Sequence, residues 1–449
     1  MPPISIIPWK SISTHHDHVR ISFYLLQQLR LNDGDELTIS LGKKQISIKV
    51  QAAEIDSYEL NLPENLFKEF YLPIQCYKFH ASYRKENNIL YLGPVVGLLT
   101  EFNAVATELS FGSINTFCEE LHHGILEAGG FFYVFTYKEF NVQGYYYSNG
   151  NWIPSELPLP DVIYNRIHSR KLEYANDFTL FRKKLEQLNI PLFNDRFLSK
   201  WEVHQQLINE NHLFPHVPET EIFSKENLTY FLKKYKNVFI KPVHGSQGRS
   251  IFKLDYTDDV LSVNSSLKAF SEKKLRDCTF DEIYLQLKPL LNNRIYIIQQ
   301  GIPLITYDSR GMDFRVLCHK NYKDVWEVTS VVARISSEKE FVSNIAKGGE
   351  VMAPQTALEK SFSAQVASSI ISEMKGLAVE ITSAISLQSS GIFGELGIDM
   401  GIDHNGKLWL IEVNSKPSKN FEDGKLKIRP SAKAIIKFCT KLAFDTTEE

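Results

Sequence analysis

Three oxygen-bearing side chains, Asp399, Glu412 and Asn414, bracket an Asn405-Gly406 pair. Asn-Gly between apolar, β-branched runs, here 397–403 and 407–414, is the strongest short-range signal for a two-residue hairpin. In that register His404 faces Lys407 and Asp399 faces Glu412, at roughly 5 Å between Cβ atoms. Asn414 shares the face, because side chains alternate with period 2. Opposed carboxylates repel unless a cation lies between them, and two carboxylates with an amide oxygen suit hard Mg²⁺. The alternative is an edge hairpin carrying solvated acids, and a register one residue out breaks the arrangement.

Upstream, residues 238–250 read Val-Phe-Ile-Lys-Pro-Val-His-Gly-Ser-Gln-Gly-Arg-Ser. An apolar strand ends in Lys241, a loop holds Gly245, Ser246, Gln247 and Gly248, and a second strand follows over 251–254. Small residues let backbone N–H groups approach phosphate oxygens while the lysine supplies a point charge. Because the loop joins strand to strand, it is neither a Walker A loop nor a Rossmann fingerprint, both of which open a helix. A plain glycine hairpin is the competing reading. Asp313 and Arg315 share a face of the strand 312–318, Arg334 ends the strand 327–333, and a surface ion pair would explain the first two as well. The apolar strand 296–300, with Gln299 and Gln300 at its end, could offer backbone groups to a flat heterocycle or be a core strand.

The elements that must position these residues fall into three blocks. Residues 1–85 read as a small β domain, with strands at 21–25, 36–41 and 44–50 around turn signals at 32–35 and 42–43. Lys85-Glu86-Asn87-Asn88 is a polar break. Residues 88–196 alternate strand and helix (an apolar strand and turn at 89–99, a helix at 115–127, strands at 131–137 and 162–165), which implies a small parallel sheet. Residues 197–445 mix strands and helices and end in an amphipathic helix at 431–444. No repeat or low-complexity segment stands out.

At 449 residues the chain is too long for one typical core. Lys and Arg number 50 against 53 Asp and Glu, a net charge of −3, so a polyanion such as bulk nucleic acid is not an expected partner. The Lys233, Lys234, Lys236 patch reads as a solvated helix face. No run approaches a membrane span, the N-terminus lacks a signal-peptide pattern, and the expected location is cytoplasmic. Five scattered cysteines without CxxC spacing read as free thiols rather than a disulfide framework or zinc site. His15, His16 and His18 read as a solvent-exposed run, His122 and His123 as cap or surface residues, and Tyr145 to Tyr147 beside Asn149-Gly150 as an aromatic hairpin.

Taken in order, Lys200, Lys241 with its glycine loop, Gln299-Gln300, Asp313-Phe-Arg315, Arg334, Asn344 with Gly348-Gly349, Asp399 and Glu412-Val-Asn414 resemble the ATP-grasp superfamily. The likeness spans about 200–444 and is nearest in general pattern to glutamate-adding and glutathione-synthetase-like ligases. The Pro-Asp-Val-Ile-Tyr-Asn-Arg166 block and the segment from Leu92 resemble the pre-ATP-grasp domain of the endospore coat-associated YheC/YheD-type family. The implied fold class is α+β and α/β: two α+β subdomains clasping ATP, preceded by a small α/β domain and the N-terminal β domain.

The resemblance also implies roles. Lys200 and Lys241 would neutralise ATP phosphates, the loop from Gly245 to Gly248 would lie over them, and the strand at Gln299 and Gln300 would hold adenine. Asp399, Glu412 and Asn414 would bind one or two Mg²⁺ ions, with Mn²⁺ a possible substitute. Arg315, with Arg334 and Asp313, would serve the transferred phosphoryl group and the acylphosphate it forms. Three positions depart from the pattern: Ser250 for a third loop glycine, Gln300 for glutamate, and Ser418 after Pro417 for glycine. The expected activity is a carboxylate–amine ligase acting on small-molecule or peptide substrates. A nucleotide-binding assembly protein among spore coat proteins and an ATP-grasp kinase are the alternatives.

Overall fold

The computed structural model describes residues 2–10, 18–102, 109–245, 250–257, 260–266, 273–276, 279–291, 294–337, 349–419 and 428–445. Seven strands between Ile4 and Gly93 close into a barrel, which leaves that sheet no free edge. The strand expected at 21–25 lies three residues earlier: His18–Ser22 is extended and Phe23–Leu29 is helical. The switch falls at Ser22, whose side chain accepts the Leu25 N–H at 3.0 Å, an N-cap that alternation alone did not reveal. The polar break at Lys85 to Asn88 is the turn between the barrel strands Tyr77–Arg84 and Ile89–Gly93, which pair from Arg84 and Ile89 inward. The apolar stretch 89–99 is therefore two strands, one in the barrel and one, Val95–Leu99, in the next sheet.

That next sheet is mixed rather than wholly parallel. Val95–Leu99, Phe131–Phe135, Val162–Asn165 and Leu192–Phe193 run parallel, and the aromatic hairpin Gly144–Ser148 with Asn151–Ser155 adds an antiparallel edge. Its strands Val95–Leu99, Phe131–Phe135 and Val162–Asn165 are buried throughout because both faces are covered. Val95, Leu99, Phe131, Tyr133 and Phe135 join the barrel core. Val96, Leu98, Phe132, Val134 and Tyr164 face the helices Asn115–Ala128 and Pro430–Asp445 instead. The C-terminal helix Pro430–Asp445 thus returns to seal a sheet whose last strand ends at Phe193.

Two further sheets follow, each backed by helices on one face. In the first, Thr220–Ile222, Tyr296–Gln300, Asn237–Pro242, Phe252–Thr257, Val260–Ser265 and Lys273–Arg276 lie in that order. The helices Lys225–Tyr235 and Phe280–Leu287 cover its apolar face through Leu228, Phe231, Ile283 and Leu287. In the second, Glu350–Met352, Trp326–Ile335, Arg310–Lys320, Glu395–Ile402 and Leu408–Asn414 are neighbours. The long helix Ala364–Gln388 covers that sheet with Ile370, Met374, Ala378, Ile381 and Ile385. Period-2 alternation then leaves the opposite face of the second sheet for polar side chains.

Candidate nucleotide and metal site

In Arg310–Lys320, Met312, Phe314 and Val316 enter the core while Asp313 and Arg315 take the other face. Register brings Asp313 opposite Arg334 and Arg315 opposite Asp399, and Asp399 opposite Glu412. Arg334 lies within Trp326–Ile335 rather than beyond the strand's end. Five of the sequence-derived residues therefore form one charged row across four adjacent strands.

The hairpin that carries Asp399 and Glu412 reaches this register by a different route from the expected one. Its loop has three residues, not two: Ile402 pairs with Leu408, the Asp403 N–H donates to the Lys407 carbonyl at 3.0 Å, and Gly406 takes a left-handed φ of 83°. That shift alone would place Asp399 opposite Ile411. A bulge between the Met400–Leu410 and Asp399–Glu412 pairs inserts one residue and restores the pairing. Leu408, Leu410 and Val413 are buried, whereas Glu412 and Asn414 take the polar face. Without the bulge, Glu412 would share the side of Leu408 and Leu410. Opposite Asn414 stands Gly397, where a Cβ would come within 2.8 Å of the Pro417 ring, so its lack of a side chain lets the following loop lie across the strand.

The charges are largely paired within the row. Arg315 grips Asp399 with Nε and, at 2.9 Å, with Nη2. Arg334 reaches Asp313 at 2.6 Å and Asp399 at 3.1 Å, and Asn414 Nδ2 donates to Asp399 at 3.2 Å. Burial pushes the Asp399 carboxyl up, but the two guanidiniums outweigh it and hold it below the usual carboxylate range. Asp313 goes the other way, to about 6, because burial outweighs Arg334 and the Asp399 charge adds to it.

Lys200 begins the helix Lys200–Ile208, capped by Ser199, whose hydroxyl accepts the Glu202 N–H at 3.1 Å. The Lys200 Nζ donates to Glu412 at 2.8 Å and to the Gly245 carbonyl at 3.1 Å, tying the acidic hairpin of one sheet to the loop of the other. Lys241, on the strand leading to that loop, donates to Gln299 Oε1 at 2.6 Å, and Gln299 in turn donates to Thr220. Burial first and the Lys200 charge second bring the Lys241 pKa down to about 8. Gln300 accepts the Glu219 N–H at 3.3 Å. Ser246, Gln247 and Gly248 lie outside the described residues, as do Asn344 and Gly348. Ser250 takes φ 58°, the backbone that glycine adopts most readily, at the position where the resemblance leads one to expect glycine.

The donor set fits a hard divalent ion in type. Among the described residues no three His, Cys, Asp or Glu side chains stand ready to share an ion, and a third protein ligand beside Asp399 and Glu412 would have to be the Asn414 amide oxygen. Asp399 is committed to two arginines in this arrangement, and capture of a cation there competes with those ion pairs.

Sequence reasoning missed the buried cluster beneath the site. Glu395, fully buried, accepts from Tyr164 at 2.5 Å and contacts Lys419, His319 at 3.0 Å and Arg166 at 3.5 Å. Arg166 also donates to the Pro417 carbonyl at 2.9 Å, and Asn194 brackets the Glu395 backbone with bonds at 2.7 to 3.1 Å. The signal for it in the chain is Glu395, an acid opening the strand 395–402, which must find partners once buried. His122 and His123 prove to be mid-helix, packed edge-on to Tyr147, and not at a cap. Cys76, Cys118, Cys318 and Cys439 are free thiols.

Residues 189–442 match the family model described as YheC/D like ATP-grasp. The chain is 31% identical over 368 residues to the endospore coat-associated protein YheD of Bacillus subtilis (strain 168), covering 80% of each. It is 20% identical over 297 residues to YheC of the same organism, covering 66% of this chain and 80% of that one. Among solved structures, the D-alanine-D-alanine ligase from Coxiella burnetii superposes with a TM-score of 0.45 at 11% identity, over 79% of this chain and 96% of that chain. Among the described residues no helix is long and apolar enough to cross a membrane. The chain belongs to the YheC/D-like ATP-grasp family.

Proposed function

We propose that the protein is an ATP-dependent carboxylate–amine ligase. The observation that carries this reading is the charged row: Asp399 opposite Glu412, with Arg315 and Arg334 beside them, Lys200 at the start of its helix bonded to Glu412, and Lys241 on a strand of the other sheet. In the proposed reaction an oxygen of the substrate carboxylate takes the γ-phosphoryl group of ATP, releasing ADP. The amine then attacks the acyl carbon, the C–O bond to phosphate breaks, and the amine loses a proton as the amide forms. Lys200 and Lys241 neutralise the polyphosphate, and Arg315 and Arg334 exchange their carboxylate partners for the transferred group. Asp399, Glu412 and Asn414 would hold Mg²⁺, which would supply charge neutralisation and alignment of the polyphosphate. No protein nucleophile enters the scheme.

Purified protein screened with amino acids and peptides should release ADP only when both a carboxylate and an amine are present. ADP release that leaves phosphate stably on one substrate would replace ligation with kinase chemistry. A second reading, a nucleotide-binding role in spore coat assembly, is supported by the two relatives described as endospore coat-associated. The barrel offers an additional surface for it. If a Glu412→Ala variant lost ATP turnover yet supported normal coat assembly, the scaffold role would stand apart from the enzyme.

A further inference from the structure

Arg170 opens the short helix Arg170–Glu173, outside the 189–442 stretch matched by the family model. Its guanidinium carbon stands 4.6 Å from the centre of the Phe197 ring, and Nη1 lies 3.4 Å from both the Leu198 carbonyl and His244 Nδ1. His244 directly precedes Gly245, whose carbonyl receives Lys200, and Lys200 in turn holds Glu412. One chain of contacts therefore links Arg170 to the loop and the carboxylate that flank the phosphate end of the proposed nucleotide.

A guanidinium carries five N–H donors in a rigid fork. Only Nη1 of Arg170 is engaged; Nε and Nη2 have no protein partner among the described residues. The side chain is half-buried, yet no carboxylate lies within ion-pair distance of it among the described residues. The acids that influence it, Glu412 first, then Glu173, are taken by Lys200 and Lys416. Other arginines nearby differ: Arg315 and Arg334 pair with Asp399, Arg196 with Glu202, and Arg182 with Asp195. A partly desolvated guanidinium with an open fork matches an oxyanion that accepts two parallel bonds.

We infer that Arg170 holds the terminal phosphoryl oxygens of ATP, a contact supplied to the nucleotide site by the preceding α/β unit. This rests on the nucleotide-site reading above. Isothermal titration of the full chain with Mg-ADP and with Mg-AMP-PNP tests it, because only the second carries the γ-group. Arg170→Gln should weaken AMP-PNP by about tenfold or more, the size of a lost charge-assisted bond, while ADP binding stays near the wild-type value. Arg170→Lys, which keeps the charge but not the fork, should recover part of the loss. Equal weakening of both nucleotides, or no change in either, in variants that melt where the wild type does would overturn the role of Arg170 alone. Wild-type protein that binds neither nucleotide would overturn the nucleotide site itself.

Discussion

Glu412 is the residue on which the site converges, since it pairs across the hairpin with Asp399 and forms an ion pair with Lys200. Glu412→Ala should lower ATP turnover by at least about a hundredfold, the scale on which removal of one electrostatic participant is felt. Lys241 adds a pH dependence of known sign. Its pKa of about 8 leaves it cationic below that value and neutral above it. Affinity for ATP should therefore fall as pH rises through the pKa, and Lys241→Arg, charged throughout, should flatten the profile when binding is titrated on both sides. Residue types and their order along the chain make most of these side chains legible in the sequence. Arg170 and Glu395 are not, because each is defined by what it lacks or whom it meets in space.

The hairpin shows both the reach and the limit of reading elements from sequence. Asp399 is expected opposite Glu412 and is found there, yet the two-residue loop behind that expectation is a three-residue loop corrected by a bulge. Local turn preference fixes neither loop length nor a compensating bulge; burial of Leu408, Leu410 and Val413 on one face selects the combination. Deleting Ile411 should remove the bulge yet leave Glu412 on the polar face opposite Asp399, because Leu410 and Glu412 then occupy successive positions. The expected outcome is a Mg-nucleotide thermal shift that survives the deletion, and its loss would show that the bulge itself shapes the site. Ser250 is held at φ 58°. Ser250→Gly relieves left-handed backbone strain and should be neutral to stabilising by up to about 1 kcal/mol in denaturant unfolding. Strands with clear alternation are well placed from sequence, while the switch at Ser22 and the turn at Lys85 to Asn88 depend on capping and on pairing between distant strands.

Across the whole molecule, the segment after Asn414 is bound both to the preceding unit, through Arg166 and Glu173, and to its own, through Leu198 and Glu395. Ser415 accepts the Leu198 N–H at 3.3 Å, Lys416 pairs with Glu173, Pro417 receives Arg166, and Lys419 contacts Glu395. Among the described residues, Glu395 is the one carboxylate in contact with both Arg166 and Lys419. Burial lowers the Lys419 pKa well below its ordinary value, and the Arg166 charge adds to the effect. Glu395→Ala would leave buried cations uncompensated and should cost about 3–5 kcal/mol of unfolding free energy. Adding Lys419→Met to that variant should return part of it, because one uncompensated cation is then gone. The nucleotide site and the preceding sheet are thus expected to lose stability together, with a single melting transition reporting both.

Everything proposed for this chain depends on Lys200, Lys241, Asp399, Glu412 and Asn414 forming one Mg-nucleotide site. Calorimetric titration of AMP-PNP with and without Mg²⁺, on wild type and on Glu412→Ala, decides the matter. The wild type should bind in a Mg²⁺-dependent manner, and the variant should lose that binding. Wild-type binding that ignores Mg²⁺, or a variant that binds as tightly as the wild type, would rule the shared site out.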